Sequence, residues 1–194
     1  MQALPVIASL AAVCIAGCAA PIPAVDAPVA RIEAPAPRAG ARWTYDEIDP
    51  YRREVVGSLA QAAMDGAQRQ AFGAPYTKLP FPLAPGMQWD ERIAAVGAQG
   101  GTYAWRISGR AYGWERVRTP AGEFDALRIV RMMDLGNGDG SWRDTIRVET
   151  LWYAPAVNGW VRVERRDTQR ELAGLNPRNR DDWRIWELRE YTAG

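Results

Sequence analysis

Between positions 142 and 152 the chain alternates in steps of two. Trp142, Ile146, Val148 and Trp152 fall on even positions, while Arg143, Thr145, Arg147 and Glu149 fall on odd ones. That period predicts a β-strand with one buried face and one wet face, the even residues taking the buried side. Extended in both directions, the pattern predicts four antiparallel strands in series from Thr102 to Glu164. The first two are expected to meet near Gly109. The second and third are joined by Thr119-Pro120-Ala121-Gly122, where proline suits the first corner of a turn and glycine tolerates positive φ. The third, Glu123 to Asp134, runs into Gly136-Asn137-Gly138-Asp139-Gly140, whose glycines and Asn-Gly pair are a strong turn signal.

Around this block the pattern continues as strand. Trp43 and Tyr45 alternate with Arg42 and Thr44 in an opening strand that stops at Asp49-Pro50. From Arg53 to Phe72 two readings compete. Ala60 to Met64 favour helix by propensity, with Ser58 as a cap and Gly73 as a stop, while Asp65-Gly66 signals a hairpin, which the missing 3.6-residue period favours. Pro75, Pro80, Pro82 and Pro85 make a rigid connection, after which Trp89 to Val96 resumes as strand. A short strand is expected between Asn158 and Asp167, then a loop from Arg165 to Asp182, then a closing strand from Trp183 to Tyr191. The fold class is therefore mainly β, a single antiparallel sheet with little helix, carried by residues 41–194.

The first 40 residues read differently. Residues 1–17 carry no charged side chain, and Ala3 to Ala16 is an apolar run too short to span a bilayer but suited to a secretory signal peptide. It ends at Ile15-Ala16-Gly17-Cys18, which resembles the lipobox of bacterial lipoproteins, although no Lys or Arg precedes the run. The resemblance implies that Cys18 is acylated, becomes the mature N-terminus and holds the protein at a membrane, since each buried methylene contributes ~0.8 kcal/mol. A disulfide between Cys14 and Cys18 is disfavoured by their spacing. Ala19 follows the cysteine where Asp would signal retention, so by analogy the protein is sorted to the outer membrane and faces the periplasm. In residues 18–40, Pro21, Pro23, Pro28, Pro35 and Pro37 interrupt any helix, and a Pro-rich tether is expected.

Composition narrows the chemistry. Lys plus Arg is 24 against 23 acidic residues, so there is no net field to hold nucleic acid. Lys78 is the only lysine; a GC-rich genome accounts for the arginine bias better than a dedicated anion site does. The chain contains no histidine, which removes Ser-His-Asp and Cys-His systems and His-based metal sites. Lys78 has no Ser-x-x-Lys neighbour. Asp134, Asn137 and Asp139 offer oxygen ligands but not the spacing of a calcium loop. The carboxylates Asp181, Asp182, Glu187 and Glu190 interleave with Arg180, Arg184 and Arg189, which favours surface ion pairing over glycosidase chemistry. The expectation is a protein with no enzyme activity, no cofactor and no metal.

Phe81-Pro82-Leu83 and Gly86 before Trp89, then Gly113-Trp114-Glu115 and Val117 before Thr119 to Phe124, then Trp152-Tyr153-Ala154-Pro155, together resemble uncharacterised proteobacterial envelope lipoproteins. Those are similar to the lipoprotein-localisation factors, and the resemblance implies a sheet curved into an open half-barrel over roughly residues 80 to 191. It carries no catalytic set. The nine tryptophans all lie in the β domain; they either fill its core or line an apolar cavity. Trp142 and Trp152 are the leading candidates for such a lining, followed by Trp89, Trp105 and Trp114, with Ala104, Ala111 and Ala126 as the small residues that would leave room. The first functional expectation is binding or carriage of a lipid or acyl chain, which requires a water-facing cavity. The second is docking of another envelope protein by a sheet edge or exposed Arg and Trp residues, which requires a filled core.

Overall fold

The computed structural model describes residues 24–34, 39–64, 67–68, 79–96, 102–136, 143–171 and 179–194. They form nine strands: β1 (Arg42–Asp49), β2 (Glu54–Met64), β3 (Ala67–Gln68), β4 (Gln88–Val96), β5 (Thr102–Thr119), β6 (Gly122–Gly136), β7 (Arg143–Ala154), β8 (Gly159–Glu171) and β9 (Asn179–Thr192). The only helical element among the described residues is a 3-10 turn, Pro155–Val157. The strands make one antiparallel sheet in the order β3-β2-β1-β9-β8-β7-β6-β5-β4. Its end strands do not meet, so the sheet is open. It is also curved: in a flat sheet β5 and β8 would lie three strand spacings, about 14 Å, apart. Instead, Cα atoms of β5 come within 8 Å of both β8 and β9.

The local chemistry explains most of these elements. Thr119 and Gly122 pair across Pro120-Ala121, as the turn residues predict, and Gly122 takes a φ of 133°. The same turn reaches across the fold, where the Ala121 N–H donates to the Leu188 carbonyl at 3.0 Å. Beside that carbonyl the β1–β9 register shifts between Thr44 and Tyr45, where Leu188 faces Tyr45 and Glu190 faces Thr44. Such a bulge opens the ladder and bends the strand. β2 and β3 pair as Met64 with Ala67, so the hairpin reading of that stretch holds over the helical one. At the end of β7, Pro155 starts the 3-10 turn and Asn158 in the left-handed region, φ 51°, stops it.

Four expectations are corrected. There is no joint at Gly109: β5 is one continuous strand of 18 residues. The glycine is there for a close approach, since a Cβ at that position would overlap the indole of Trp89, its partner on β4. The Arg165 to Asp182 stretch is strand at both ends, β8 running to Glu171 and β9 starting at Asn179. Residues 24–34, expected as tether, lie against the sheet: Ile32 and Leu83 exchange two backbone hydrogen bonds of 2.7 and 2.8 Å, and Ile32 is buried.

The fourth correction concerns which face is covered. Ile146, expected inside, is 45% exposed, whereas Arg147 and Glu149, expected in water, are 8% and 2% exposed. Alternation on β7 is real but its sign is reversed. Arg147, Glu149, Leu151 and Tyr153 share one face, and they are laterally opposed by buried Met133, Arg131, Ile129 and Leu127 of β6.

Candidate functional site

The covered face of the sheet divides into an apolar half and an ionic half. Lateral partners across antiparallel strands share a face, so the rows can be followed from strand to strand. One row reads Leu127, Tyr153, Trp160; the next reads Ala111, Ile129, Leu151, Val163, Trp186. Leu188 and Tyr45 pair beside them on β9 and β1. Over this half lie Leu79, Leu83 and Ile32, which join the same cluster, and Phe81 meets Tyr153 edge-on with ring centroids 5.8 Å apart. Tyr45, Leu83, Leu127, Ile129, Leu151, Tyr153 and Leu188 are all at most 1% exposed. Two of the polar atoms buried here are held by backbone carbonyls: the Tyr45 hydroxyl donates to the Trp160 carbonyl at 3.0 Å, and Trp43 Nε1 to the Val157 carbonyl at 2.9 Å. Burial pushes the Tyr45 phenol far above its ordinary range, with nearby Tyr153 adding to the effect.

The ionic half begins one row further along. Trp89, Gly109, Arg131, Glu149, Arg165 and Arg184 run across five ladders on the same face. The row after it contains Ile107, Met133, Arg147, Asp167 and Asp182. Arg131 binds Glu149, both side chains being only 2% exposed. Arg147 grips Asp167 in a fork, Nε to Oδ1 and Nη2 to Oδ2 each at 2.7 Å. Paired, planar contacts of this kind are the strong form of an ion pair. Arg165 lies 3.7 Å from Asp167 and stacks over Trp186, its guanidinium carbon 5.1 Å from the ring centroid. Arg184 reaches Glu47 at 3.3 Å and Asp182 at 3.4 Å. Every guanidinium in this half is thus matched by a carboxylate, which leaves little net charge to attract an ion.

The opposite face carries a second network. Arg128, Trp152, Arg162, Glu187 and Asp46 are lateral partners in one row. Glu115 accepts from Trp152 Nε1 at 2.7 Å and pairs with Arg128 at 2.9 Å. Arg162 lies over the Trp152 ring and reaches Glu187 at 3.3 Å. Arg189 pairs with Asp46 at 3.0 Å. Desolvation raises the Glu187 pKa; Arg162 opposes the shift and the carboxylate of Asp46 adds to it.

The four described candidate tryptophans are not gathered around one cavity. Trp152 is 4% exposed and sits on the face opposite Leu151, under Arg162. Trp114 is 3% exposed and belongs to the packed core. Trp89 is half-buried over Gly109, and Trp105 is half-buried on β5 opposite Ile93. Trp142 and Cys18 lie outside the described residues, as do Asn137 and Asp139. Asp134 accepts from the Gly136 N–H at 3.1 Å, the contact of an ordinary turn. Of the small residues, Ala111 and Ala126 are fully buried and Ala104 is exposed. Of the carboxylates, Asp182 and Glu187 hold arginines.

Two features escaped the sequence reading. The ionic half was missed because Arg147 and Glu149 look like a wet face until their partners on β6 and β8 are known. The other is β4, which pairs with β5 alone among the described residues and leaves its far side open at the end of the sheet. Beside it lies a shallow dish of about 570 Å³ lined by Asp90, Arg92, Arg106, Ser108, Met132 and Asp134. Met132, 50% exposed, and Ile146 extend that surface with apolar groups. Compared with protein-family models, curated proteins and solved structures, the chain has no match.

Proposed function

We propose that this chain is a non-enzymatic envelope lipoprotein, anchored through acylated Cys18 to the outer membrane and facing the periplasm, that docks a protein partner along the open β4 side of its sheet. The observation that carries this reading is the filled interior. A lipid carrier needs an apolar chamber open to water, but the apolar half of the covered face is occupied by the protein's own Leu79, Leu83 and Ile32. Recognition is left to the outside, where β4, whose far side has no partner strand among the described residues, adjoins Met132 and Ile146. An exposed edge supplies main-chain hydrogen bonds to an incoming strand, and neighbouring side chains supply selectivity. The absence of histidine supports the non-enzymatic part.

The test uses the full acylated protein extracted from bacterial envelope. Native mass spectrometry should give the mass of the acylated chain and its partner with no stoichiometric free lipid. Photo-crosslinkers placed at Met132 and Ile146 in living cells should label a defined protein, and ones placed at Ala156 should not. A single lipid species retained at one per chain would instead return the carrier reading.

A further inference from the structure

In the interior ladders of the sheet five arginines face carboxylates: Arg116 with Asp125, Arg118 with Glu123, Arg131 with Glu149, Arg147 with Asp167 and Arg162 with Glu187 are direct lateral partners that also form ion pairs. The β4–β5 ladder has no such pair. Arg92 faces Arg106, a like-charge pair, and Asp90 faces Ser108. Like-charge partners also occur on β8–β9, where Arg165 faces Arg184 and Asp167 faces Asp182, but each of those side chains has a counter-ion. Among the described residues, none of Asp90, Glu91 and Arg92 has a counter-ion within 4.0 Å, although they adjoin one another at the middle of the strand. β4 is also a good template for pairing. It carries no proline, and its register against β5 is unbroken from Gln88 to Val96.

The direction of its unused hydrogen bonds follows from two contacts. The Ala111 N–H donates to the Met87 carbonyl at 2.9 Å and the Ala111 carbonyl accepts from the Gly86 N–H at 2.8 Å, a glycine bulge that opens the ladder with Met87 on the bonded side. Hydrogen-bonded and non-bonded pairs alternate along an antiparallel ladder. Trp89, Glu91 and Ile93 therefore bond to β5, and the N–H and C=O groups of Gln88, Asp90, Arg92 and Ala94 point outward.

We infer that β4 pairs antiparallel with the β4 of a second copy of this chain, about a two-fold axis through Glu91. In that register each Asp90 lies opposite the other copy's Arg92 and each Gln88 opposite its Ala94, and all of these are residues whose backbone groups point outward. On the other face each Trp89 lies opposite the second copy's Ile93, an aromatic and β-branched pair of the kind that stabilises sheets. Sliding by one step either way is worse. One slide sets Asp90 against its own copy and Trp89 against Glu91; the other sets Arg92 against its own copy. The register chosen has one unfavourable contact, Glu91 against itself, which makes it self-identifying. The inference rests on the docking reading above, since it assigns the occupant of the same open edge, and it fits the symmetric association that most soluble oligomers use.

The experiment is sedimentation equilibrium and oxidative crosslinking of the full chain in detergent, with Cys14 and Cys18 replaced by Ser for the cysteine variants. The unmodified chain should sediment at twice its protomer mass. Glu91→Cys alone should form a symmetric disulfide, because non-bonded antiparallel partners bring their Cα atoms to about 4.5 Å. Ala94→Cys alone should not, whereas the Gln88→Cys and Ala94→Cys chains mixed together should. Asp90→Arg should abolish the dimer, and adding Arg92→Asp to it should restore the dimer; a thermal transition matching the parent shows that each variant folds. A protomer mass at every concentration, or a dimer that the charge reversal leaves intact, overturns the inference. A protomer that still crosslinks a different envelope protein from Met132 overturns self-pairing alone, while a protomer that crosslinks nothing removes the docking reading as well.

Discussion

The two halves of the covered face are built from the same strands by opposite means. Around Leu127, Leu151 and Leu188 the interior is held by contact between apolar surfaces, which is non-directional and tolerant of small shifts. Around Arg131, Glu149, Arg147 and Asp167 it is held by charges that have been taken out of water, and these are favourable only when each has its partner in place. The apolar half therefore contributes most of the stability. The ionic half contributes uniqueness of register, because a strand slipped by one residue would strand a buried guanidinium.

The comparison can be broken most directly in the ionic half. Asp167→Ala, which leaves Arg147 buried without its carboxylate, should cost about 3–5 kcal/mol in urea unfolding, and replacing both residues with Leu and Met should recover most of that loss. If the double variant remained as unstable as the single one, the pair would have to be contributing net stability of its own. In the apolar half, Leu151→Ala should cost about 2–5 kcal/mol through the cavity it leaves, and no second change of charge should rescue it. Gly109→Ala tests the boundary between the halves. The added methyl runs into Trp89, so a loss of about 1–3 kcal/mol is expected, relieved when Trp89→Ala is combined with it.

Smaller effects sharpen the picture. The native pKa of Glu187 is raised, so its protonated form is the one favoured by folding. Its contribution is therefore fully present below the unfolded carboxylate pKa, about 4.3, and is lost as pH rises through the native value. Glu187→Gln should accordingly gain less than ~1 kcal/mol on the parent as pH rises from 4 to 7, a trend read from urea midpoints along that range. Ile146→Ser should change stability by no more than about 0.5 kcal/mol, since a side chain this exposed loses little on substitution. A larger loss there would return Ile146 to the core and undo the reversal of faces on β7.

Where the sequence reading succeeded, the information was local. Pro120 and Gly122 mark a turn whatever surrounds them, Asp65-Gly66 separates β2 from β3, and the alternation of Trp43 and Tyr45 with their neighbours marks β1. Where it failed, the missing information was long-range. Gly109 resembles a turn glycine because nothing nearby in sequence shows that Trp89 lies over it. Arg170 and Glu171 resemble loop because strand ends rich in charge take their structure from the partner strand. Ile32 sits among prolines in an apparent tether, and only Leu83, far along the chain, gives it a place to be buried. Of the candidate lining, Trp142 lies outside the described residues, and Trp152 is buried beneath Arg162 on the side of β7 opposite Leu151.

What the sequence determined by itself was the class of the fold: a period of two, repeated between turns, is a property of the backbone and admits an open antiparallel sheet with little helix. It also determined the absence of imidazole chemistry, since a missing residue type needs no structure to be missing. Only the tertiary structure decided which face of each strand is covered. Period-two alternation is symmetric about the sheet plane, so it separates two faces without saying which one is inside. That choice is made when the sheet curls and its register brings Arg147 to Asp167 and Arg131 to Glu149, where a matched pair of charges can be buried and an unmatched one cannot.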